Sequence, residues 1–182
     1  MQLILIRHGK TDWNELEKCQ GSSDIPLNKN GINQAEKLAH SLRNEKLDYI
    51  YSSDLSRARI TAEKIAGYHN IEIKIDHDFR EMDQGDFEGL EFKYIREKYS
   101  HVLKEWRTNP ETLTIPGGES LTEVQDRAYK SVMKLLEKHY SKTVLVVSHN
   151  LTIVTLICKF SNMTLKNFRD FIVGETSKTI IN

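Results

Sequence analysis

The chain alternates between short apolar runs and longer stretches in which apolar residues recur every three or four positions. Two short runs, at residues 3–6 and 144–147, are uninterrupted, which is typical of strands buried on both faces. A third, at residues 71–75, alternates strictly between isoleucine and polar residues and predicts a strand with one wet face at a sheet edge. With two shorter candidates, the predicted strands cover residues 2–7, 48–52, 71–75, 143–148 and 175–182.

Most of the remaining apolar positions have helical spacing. Ile32 and Ala35 belong to one such stripe. Gly67 is a predicted helix end, and Ser120 with Glu123 forms a capping-box pattern that predicts the start of a long helix reaching about residue 140. The other predicted helices cover residues 30–43, 55–66, 94–99, 101–107 and 151–160.

Strands and helices therefore alternate along the chain. This order predicts an α/β fold with three layers, α/β/α, around a mainly parallel central sheet. A length of 182 residues is typical of one domain with a sizeable core, and we predict a single domain over residues 1–182. Ligands of such sheets bind beyond the carboxyl ends of the strands, which makes the residues just after strands 2–7 and 143–148 the first candidates for a site.

Composition excludes several function classes without indicating a chemistry. The 26 basic and 26 acidic residues balance, so no global field favours nucleic acid or an anionic membrane. No apolar run approaches the roughly 18 residues of a membrane span, and the N-terminus has no signal-peptide pattern. Cys19 and Cys158 lie far apart in no metal-ligand spacing. We therefore expect a cytoplasmic protein with neither nucleic-acid nor membrane partners.

Each of the two buried strands ends near a histidine. Arg7, His8 and Gly9 close the first strand, and Ser148 and His149 close the second. Because the carboxyl ends of parallel strands meet at one edge of a sheet, we expect the two histidines to share a site. Histidine can act as a nucleophile, and arginine offers a planar charged fork that matches phosphate oxygens. Taken alone, a histidine at a strand end is more often a structural residue than a catalyst.

A longer series of motifs runs in order over about residues 2–155. The series is Arg7-His8-Gly9 with Thr11 and Asn14; Gln20-Gly21 with Asp24, Pro26-Leu27 and Gly31; Ser52-Ser53-Asp54-Leu55 with Arg57-Ala58 and Thr61-Ala62; Glu81 with Gly85 and Glu88-Gly89; Gly118-Glu119-Ser120 with Arg127; and Ser148-His149. This series resembles the histidine phosphatase superfamily, which includes cofactor-dependent phosphoglycerate mutase. In shape the chain is similar to small bacterial members such as the α-ribazole phosphatases.

The resemblance implies a role for five residues. His8 is the nucleophile that takes the phosphoryl group, while Arg7, Arg57 and His149 surround that group, whose charge spreads over its equatorial oxygens. Glu81 is the acid that protonates the leaving alcohol and the base that then activates water. Each preorganised donor in such a site is typically worth about 10²–10³ in rate.

The resemblance also implies further phosphate contacts from Asn14, Gln20 and Gly21, for which binding and scaffolding are equally compatible with the sequence. It implies neither a metal nor a cofactor, because the arginines supply the charge that a magnesium ion otherwise supplies. Two histidines with Glu81 can also form a metal site, although their spacing does not favour one.

A phosphatase and a mutase differ in how well the site is closed. The mutases that this chain resembles carry a longer insertion after the catalytic glutamate and a longer C-terminal tail. Here we expect only a small lid-like insertion around residues 82–117, with Phe87, Tyr94, Trp106 and Arg107 on its substrate-facing wall. Aromatic residues in such a segment more often fill a small satellite core than stack on a ligand. A short lid leaves a phosphohistidine open to water, which favours hydrolysis over return of the phosphoryl group.

Three residues depart from the common family pattern. Lys10 stands where Gln or Glu is frequent, Asn150 replaces a glycine, and Val154 occupies a position that is often arginine. Each can reshape the substrate side of the site. Lys10 near the entrance is compatible with recognition of a second anionic group, although a solvated lysine is the commoner case. The other histidines are expected at the surface: His40, His69, His77, His101 and His139.

The predicted function is a phosphomonoester phosphatase for a small phosphorylated metabolite, with α-ribazole 5′-phosphate as the leading named substrate. The alternatives are a broad-specificity or phosphoserine phosphatase, a mutase that uses 2,3-bisphosphoglycerate, and a non-catalytic phosphate-binding module. An exposed edge strand at residues 71–75, or the C-terminal tail, can pair across a homodimer or be capped within the monomer.

Overall fold

A five-stranded, mainly parallel sheet forms the centre of the protein, in a computed structural model that describes residues 2–182. Its strands are β1 (Gln2–Arg7), β2 (Tyr49–Ser52), β3 (Ile73–Ile75), β4 (Thr143–Ser148) and β5 (Lys178–Ile181). The spatial order is β3-β2-β4-β1-β5, and only β5 is antiparallel to its neighbour. The predicted sheet is confirmed, including the edge position of the strand that begins after Ile71.

Helices cover both faces of this sheet. They are α1 (Asp12–Glu15), α2 (Lys29–Leu42), α3 (Ser56–His69), α4 (Phe92–Lys98), α5 (Ser100–Thr108), α6 (Leu121–Lys138) and α7 (Asn150–Phe160). Short 3₁₀ helices cover His77–Phe79, Gly85–Phe87 and Leu165–Asp170. Helices α2 and α3 bury one face of the sheet, and α6 and α7 bury the other, which gives two apolar cores and confirms the three-layer architecture.

Alternation along the two central strands explains why they read as uninterrupted apolar runs. Ile4 and Ile6 belong to the core beneath α2 and α3, while Leu3 and Leu5 belong to the core beneath α6 and α7. All four side chains are almost completely excluded from solvent. A strand buried on both faces gains apolar burial at every residue, so it needs no polar alternation.

The long helix α6 starts as the capping box predicts. The Ser120 side chain accepts a hydrogen bond from the backbone amide of Glu123, and the Glu123 carboxylate accepts from the backbone amide of Ser120. These two contacts satisfy backbone donors that the first turn leaves unpaired. They also fix the residue at which α6 begins.

The predicted helix end at Gly67 is wrong. Helix α3 continues to His69 and ends at Asn70, which adopts the left-handed conformation with φ 52°. Asparagine tolerates that conformation better than most residues. Gly67 is therefore an internal helical residue, and a Cβ there would meet open space.

The predicted surface position of His139 is also wrong. Its side chain is buried, stacks on Tyr49 with ring centroids 3.8 Å apart, and places Nε2 2.9 Å from the hydroxyl of Tyr51. Burial, with the nearby charges of Lys74 and Lys138, lowers the pKa of His139 below its ordinary value. Its place at the end of α6, over two tyrosines of β2, makes it part of the packing.

Over residues 2–182, no helix combines the length and the apolar composition that crossing a membrane requires.

Candidate active site

The pairing of β1 with β4 brings the two predicted histidines together. Arg7 lies opposite Ser148 in the parallel ladder, and the amide of His8 donates to the carbonyl of Ser148 at 3.1 Å. The next residues, His8 and His149, therefore leave the sheet side by side, with ring centroids 5.0 Å apart. Both side chains are buried. The structure therefore brings the ends of β1 and β4 together, as the sequence predicts.

His8 is held with one ring nitrogen engaged and the other available. Its Nδ1 lies 2.6 Å from the carbonyl oxygen of Gly9. Because a carbonyl can only accept, Nδ1 carries the hydrogen and Nε2 keeps its lone pair. Burial, followed by the charges of Arg57 and Arg7, lowers the pKa of His8 well below its ordinary value of 6.5. A neutral ring with a free lone pair is the form that a nucleophile requires.

Arg57 is completely buried at the start of α3. Its Nη1 donates to the carbonyl of Ser23 at 2.6 Å, and its Nη2 donates to the carbonyl of Gly21 at 2.7 Å. The Nε hydrogen has no partner within residues 2–182. Burial lowers the pKa of Arg57 to about 10, so the guanidinium stays charged at neutral pH.

Arg7 is oriented in the same way by a different segment. Its Nη1 donates to the carbonyl of Val173 at 2.6 Å, and its Nη2 lies 3.8 Å from Oε1 of Glu175. Its Nε, like that of Arg57, is buried without a partner in the described chain. The C-terminal segment before β5 therefore aims this side chain.

Four buried nitrogens near His8 thus have no hydrogen-bond partner among residues 2–182: Nε of Arg7, Nε of Arg57, and both ring nitrogens of His149. An unpaired buried polar group costs about 1–3 kcal/mol. Burial, then the charges of Arg57 and His8, lowers the pKa of His149 well below its ordinary value. Two cationic donors without partners, next to a histidine with a free lone pair, are what a bound tetrahedral oxyanion would satisfy.

Glu81 reaches the same place from the loop after the first 3₁₀ helix. Its carboxylate accepts from the backbone amides of Leu151 and Thr152, at 3.2 and 3.3 Å, at the start of α7. His149 provides no side-chain cap for that helix, so Glu81 occupies the N-terminal position where a helix favours negative charge. Glu81 and His8 line the same cavity, which has a volume of about 530 Å³.

Asn14, Gln20 and Gly21 also line this cavity. Thr11 organises the first two: its amide donates to Oδ1 of Asn14 at 3.0 Å, and its hydroxyl lies 2.9 Å from Oε1 of Gln20. The amide NH₂ groups of both side chains donate to no acceptor within residues 2–182. Gly21 has φ 52°, and a Cβ there would collide with the carboxylate of Glu88.

Two of the departures from the family pattern do not line the catalytic cavity. Lys10 is absent from its lining, and the amide of Lys10 donates to Oε1 of Gln34 at 2.8 Å. Val154 is buried in the core beneath α7 and lies away from the cavity wall. Asn150 does line the cavity. The cations at the mouth are Lys18 and Arg96, which form no ion pair in the described chain.

None of the four residues predicted for the substrate-facing wall lines the catalytic cavity. Phe87, Trp106 and Arg107 line a second, smaller cavity, and Tyr94 lines neither. The residue that contributes an exposed aromatic ring is Phe92, the first residue of α4. Helical phase explains the difference, because Tyr94 lies two positions further along and therefore on another side of the helix.

Residues 2–182 hold no group of three or more His, Cys, Asp or Glu side chains placed to bind a metal ion.

Comparison with known proteins places this site in a family. The model of the histidine phosphatase superfamily (branch 1) matches residues 3–182. The chain belongs to this superfamily. The match extends the resemblance seen in the motifs to nearly the whole sequence.

Relatives within the superfamily include proteins named as phosphatases and proteins named as phosphoglycerate mutases. Phosphoserine phosphatase 1 of Hydrogenobacter thermophilus is 34% identical over 100% of this chain and 86% of its own length. The structure of a mycobacterial glucosyl-3-phosphoglycerate phosphatase with VO₃ is 28% identical, with a TM-score of 0.92 over 100% of this chain and 90% of that one. A candidate α-ribazole-5′-P phosphatase from Escherichia coli is 26% identical, with a TM-score of 0.89 over 99% and 89%. These findings support a phosphatase.

Proposed function

We propose that this phosphatase hydrolyses a small phosphorylated metabolite, without a metal ion, through a phosphohistidine formed on His8. One observation carries the proposal: Arg7 and Arg57, whose buried Nε atoms have no partner within residues 2–182, line the same cavity as a neutral His8 with a free Nε2 lone pair. A phosphoryl group placed there accepts from both arginines while its phosphorus faces the histidine. Small metabolites fit a cavity of about 530 Å³.

In the first step, Nε2 of His8 attacks phosphorus as the bond from phosphorus to the ester oxygen breaks. The negative charge that develops on the phosphoryl oxygens is stabilised by the two arginines and by a ring nitrogen of His149. Glu81, protonated at this stage, gives its proton to the leaving oxygen, and the free alcohol departs. The gain of positive charge on the His8 ring is favoured by the nearby anion and by Nδ1–H bonding to Gly9.

In the second step, water enters where the alcohol left. Glu81, now ionised, takes a proton from the water as its oxygen attacks phosphorus. The bond between phosphorus and Nε2 of His8 breaks, which releases inorganic phosphate and restores the neutral ring. Glu81 lines the same cavity as His8, which allows one residue to protonate the leaving alcohol and then to activate the water that replaces it.

The short lid over the cavity favours a phosphatase over a mutase. The lid-like role proposed for residues 82–117 rests on two short helices, α4 and α5, which end at Lys98 and Thr108. Phe92 and Arg96 at the mouth are exposed. Water therefore reaches the phosphohistidine, and hydrolysis is favoured over transfer to a second hydroxyl.

Among named substrates, α-ribazole 5′-phosphate stays our leading candidate and phosphoserine the second. The relatives named above carry each of these activities in their names, at 26% and 34% identity. The cytoplasmic location and a homodimer stay predictions from the sequence.

The test is release of inorganic phosphate, with EDTA present, from a panel of phosphomonoesters. The panel holds α-ribazole 5′-phosphate, phosphoserine, 3-phosphoglycerate, sugar phosphates, nucleotides and p-nitrophenyl phosphate. We expect turnover that His8→Ala abolishes, with an acid-labile phosphoenzyme trapped by rapid quenching of the unmodified protein. Activity retained by His8→Ala, or dependent on added metal, would overturn the mechanism. Conversion of 3-phosphoglycerate to its isomer faster than hydrolysis would identify a mutase.

A further inference from the structure

A second cavity, of about 220 Å³, lies beneath the two short helices that follow the catalytic loop. Its walls include Phe87, Ile95, Leu103, Trp106 and Ile115, so most of its surface is apolar. Neighbouring rings hold two of the aromatic side chains in these walls: Phe87 packs against Tyr99, and Trp106 packs edge-on against Phe168. The cavity is a partly open cleft in which apolar side chains surround space that a ligand can occupy.

This space adjoins the catalytic cavity. Four residues line both cavities: Cys19, Gln84, Phe92 and Arg96. The wall between them is held by main-chain hydrogen bonds at 2.9 Å, from the amide of Phe92 to Glu17 and from the amide of Cys19 to Leu90. A ligand whose phosphoryl group lies at His8 can therefore extend past these four shared residues toward the second cavity.

Two of the four shared residues, Phe92 and Cys19, are apolar. Phe92 leaves 45% of its surface exposed. Cys19 is buried, and burial, with the charges of Glu88 and Glu81, raises the pKa of its thiol to about 12. It is therefore a neutral thiol that behaves as a small apolar side chain. Cations, Arg96 and Arg107, lie at the rim.

We infer that the cavity lined by Phe87, Phe92, Leu103 and Trp106 is a subsite for the alcohol part of the substrate. The class of substrate it selects is a phosphomonoester whose alcohol carries an apolar ring or chain. The inference rests on the proposed function, because it takes the phosphoryl group to lie at His8. An apolar cavity of about 150 Å³ is already large enough to bind benzene, so the space beneath α4 and α5 accommodates one ring of that size.

The first experiment compares ethyl, butyl and hexyl phosphate as substrates. All three release simple primary alcohols of nearly equal acidity, so their chemical step is the same and only the apolar area differs. We expect kcat/KM to rise by about three- to fourfold for each methylene group that becomes buried. Equal kcat/KM across the series would overturn the subsite while leaving the phosphatase intact.

The second experiment measures binding alone, with the matching alkylphosphonates and isothermal titration calorimetry. These compounds keep a carbon–phosphorus bond that the enzyme does not cleave. Affinity that increases with chain length supports the subsite even if no ester is turned over, in which case the proposed hydrolysis fails separately. Affinity independent of chain length counts against the subsite.

A pair of variants on α5 assigns the effect to this cavity. Leu103→Trp fills the space and is expected to flatten the chain-length dependence of both measurements. His101→Trp introduces the same side chain at an exposed position of the same helix and should keep the full dependence. If Leu103→Trp retains the slope, the subsite lies elsewhere. If that variant does not fold, the slope of the unmodified protein decides.

Discussion

The carboxylate of Glu88 accepts a hydrogen bond from the backbone amide of Ser22 at 2.6 Å, and through it holds the loop that orients Arg57. It also accepts from the hydroxyls of Ser22 and Ser23 and from the amide of Gln84. Burial alone would raise the pKa of Glu88, but these hydrogen bonds outweigh burial and hold it below its ordinary value. The loop carbonyls of Gly21 and Ser23 are the acceptors for Arg57, so one carboxylate sets the direction of a phosphate-binding cation.

Glu88→Ala should therefore damage catalysis without removing any group that touches the phosphoryl. Loss of the loop anchor lets Arg57 shift, and a displacement of about 1 Å in a site of this kind costs on the order of a hundredfold in rate. We expect a weaker affinity for vanadate and a lower kcat/KM, measured beside the melting temperature. Glu88→Gln keeps an oxygen acceptor for Ser22 and should stay within a few-fold of the unmodified enzyme. If both variants lose only stability, Glu88 is purely a structural residue.

Arg57→Lys tests whether the shape of the cation matters as well as its charge. A lysine ammonium cannot bond both loop carbonyls and still present a further fixed donor to the phosphoryl group. We expect kcat/KM to fall by about 10²–10³, with weaker inhibition by inorganic phosphate. The control is Arg59→Lys, because Arg59 is exposed on the same helix and pairs only with Glu63 in the described residues. Equal, small effects of the two variants would show that Arg57 acts as a point charge.

Much of the site was predictable because parallel strands end at one edge of a sheet. The apolar runs before Arg7 and Ser148 predict two adjacent buried strands, and adjacency brings His8 and His149 together. The architecture followed from the same alternation of strands and helices.

Contacts between loops could not be predicted in this way. The carbonyl of Val173 that holds Arg7, and the carboxylate of Glu88 that holds Ser22, come from segments remote in sequence with no periodic pattern. Lys18 lines the cavity, whereas we predicted Lys10 near its entrance. The position of Lys18, two residues before Gln20, was a usable signal. Which of two lysines faces a cavity depends on backbone turns that hydrophobicity does not encode.

Glu81→Gln separates proton transfer from binding. The amides of Leu151 and Thr152 donate to different oxygens of Glu81, and the glutamine keeps one of these two acceptors, so part of the contact with the start of α7 is preserved. It cannot protonate a leaving oxygen, and we expect an alkyl phosphate to lose about 10²–10⁴ in kcat. Release of p-nitrophenolate needs little protonation, so that substrate should lose much less in the first step. The measurement is the burst of p-nitrophenolate against steady-state phosphate release; equal losses for both esters would argue against Glu81 as the acid.

The lowered pKa values of His8 and His149 predict how both activity and stability respond to acid. Burial is the main cause in each case, so both rings stay neutral in the folded protein below pH 6.5, where the unfolded chain protonates them. The unfolded state then binds more protons, and the free energy of unfolding must decrease as the pH falls from about 6.5 toward the lowered values. Between pH 6.5 and the lowered pKa values kcat/KM should stay constant, because His8 remains neutral and can still act as the nucleophile.

Urea unfolding and kcat/KM measured between pH 7.5 and pH 5, by roughly half-unit steps around the ordinary histidine pKa, test this. His8→Gln removes one of the two titrating rings, so its stability should depend less steeply on pH than that of the unmodified protein. Added vanadate or phosphate places an anion beside both rings and should raise their pKa values. The free energy of unfolding should then decrease less steeply as the pH falls. A free energy of unfolding that is flat from pH 6.5 downward would mean that both rings titrate normally and that their burial in the folded state is incomplete.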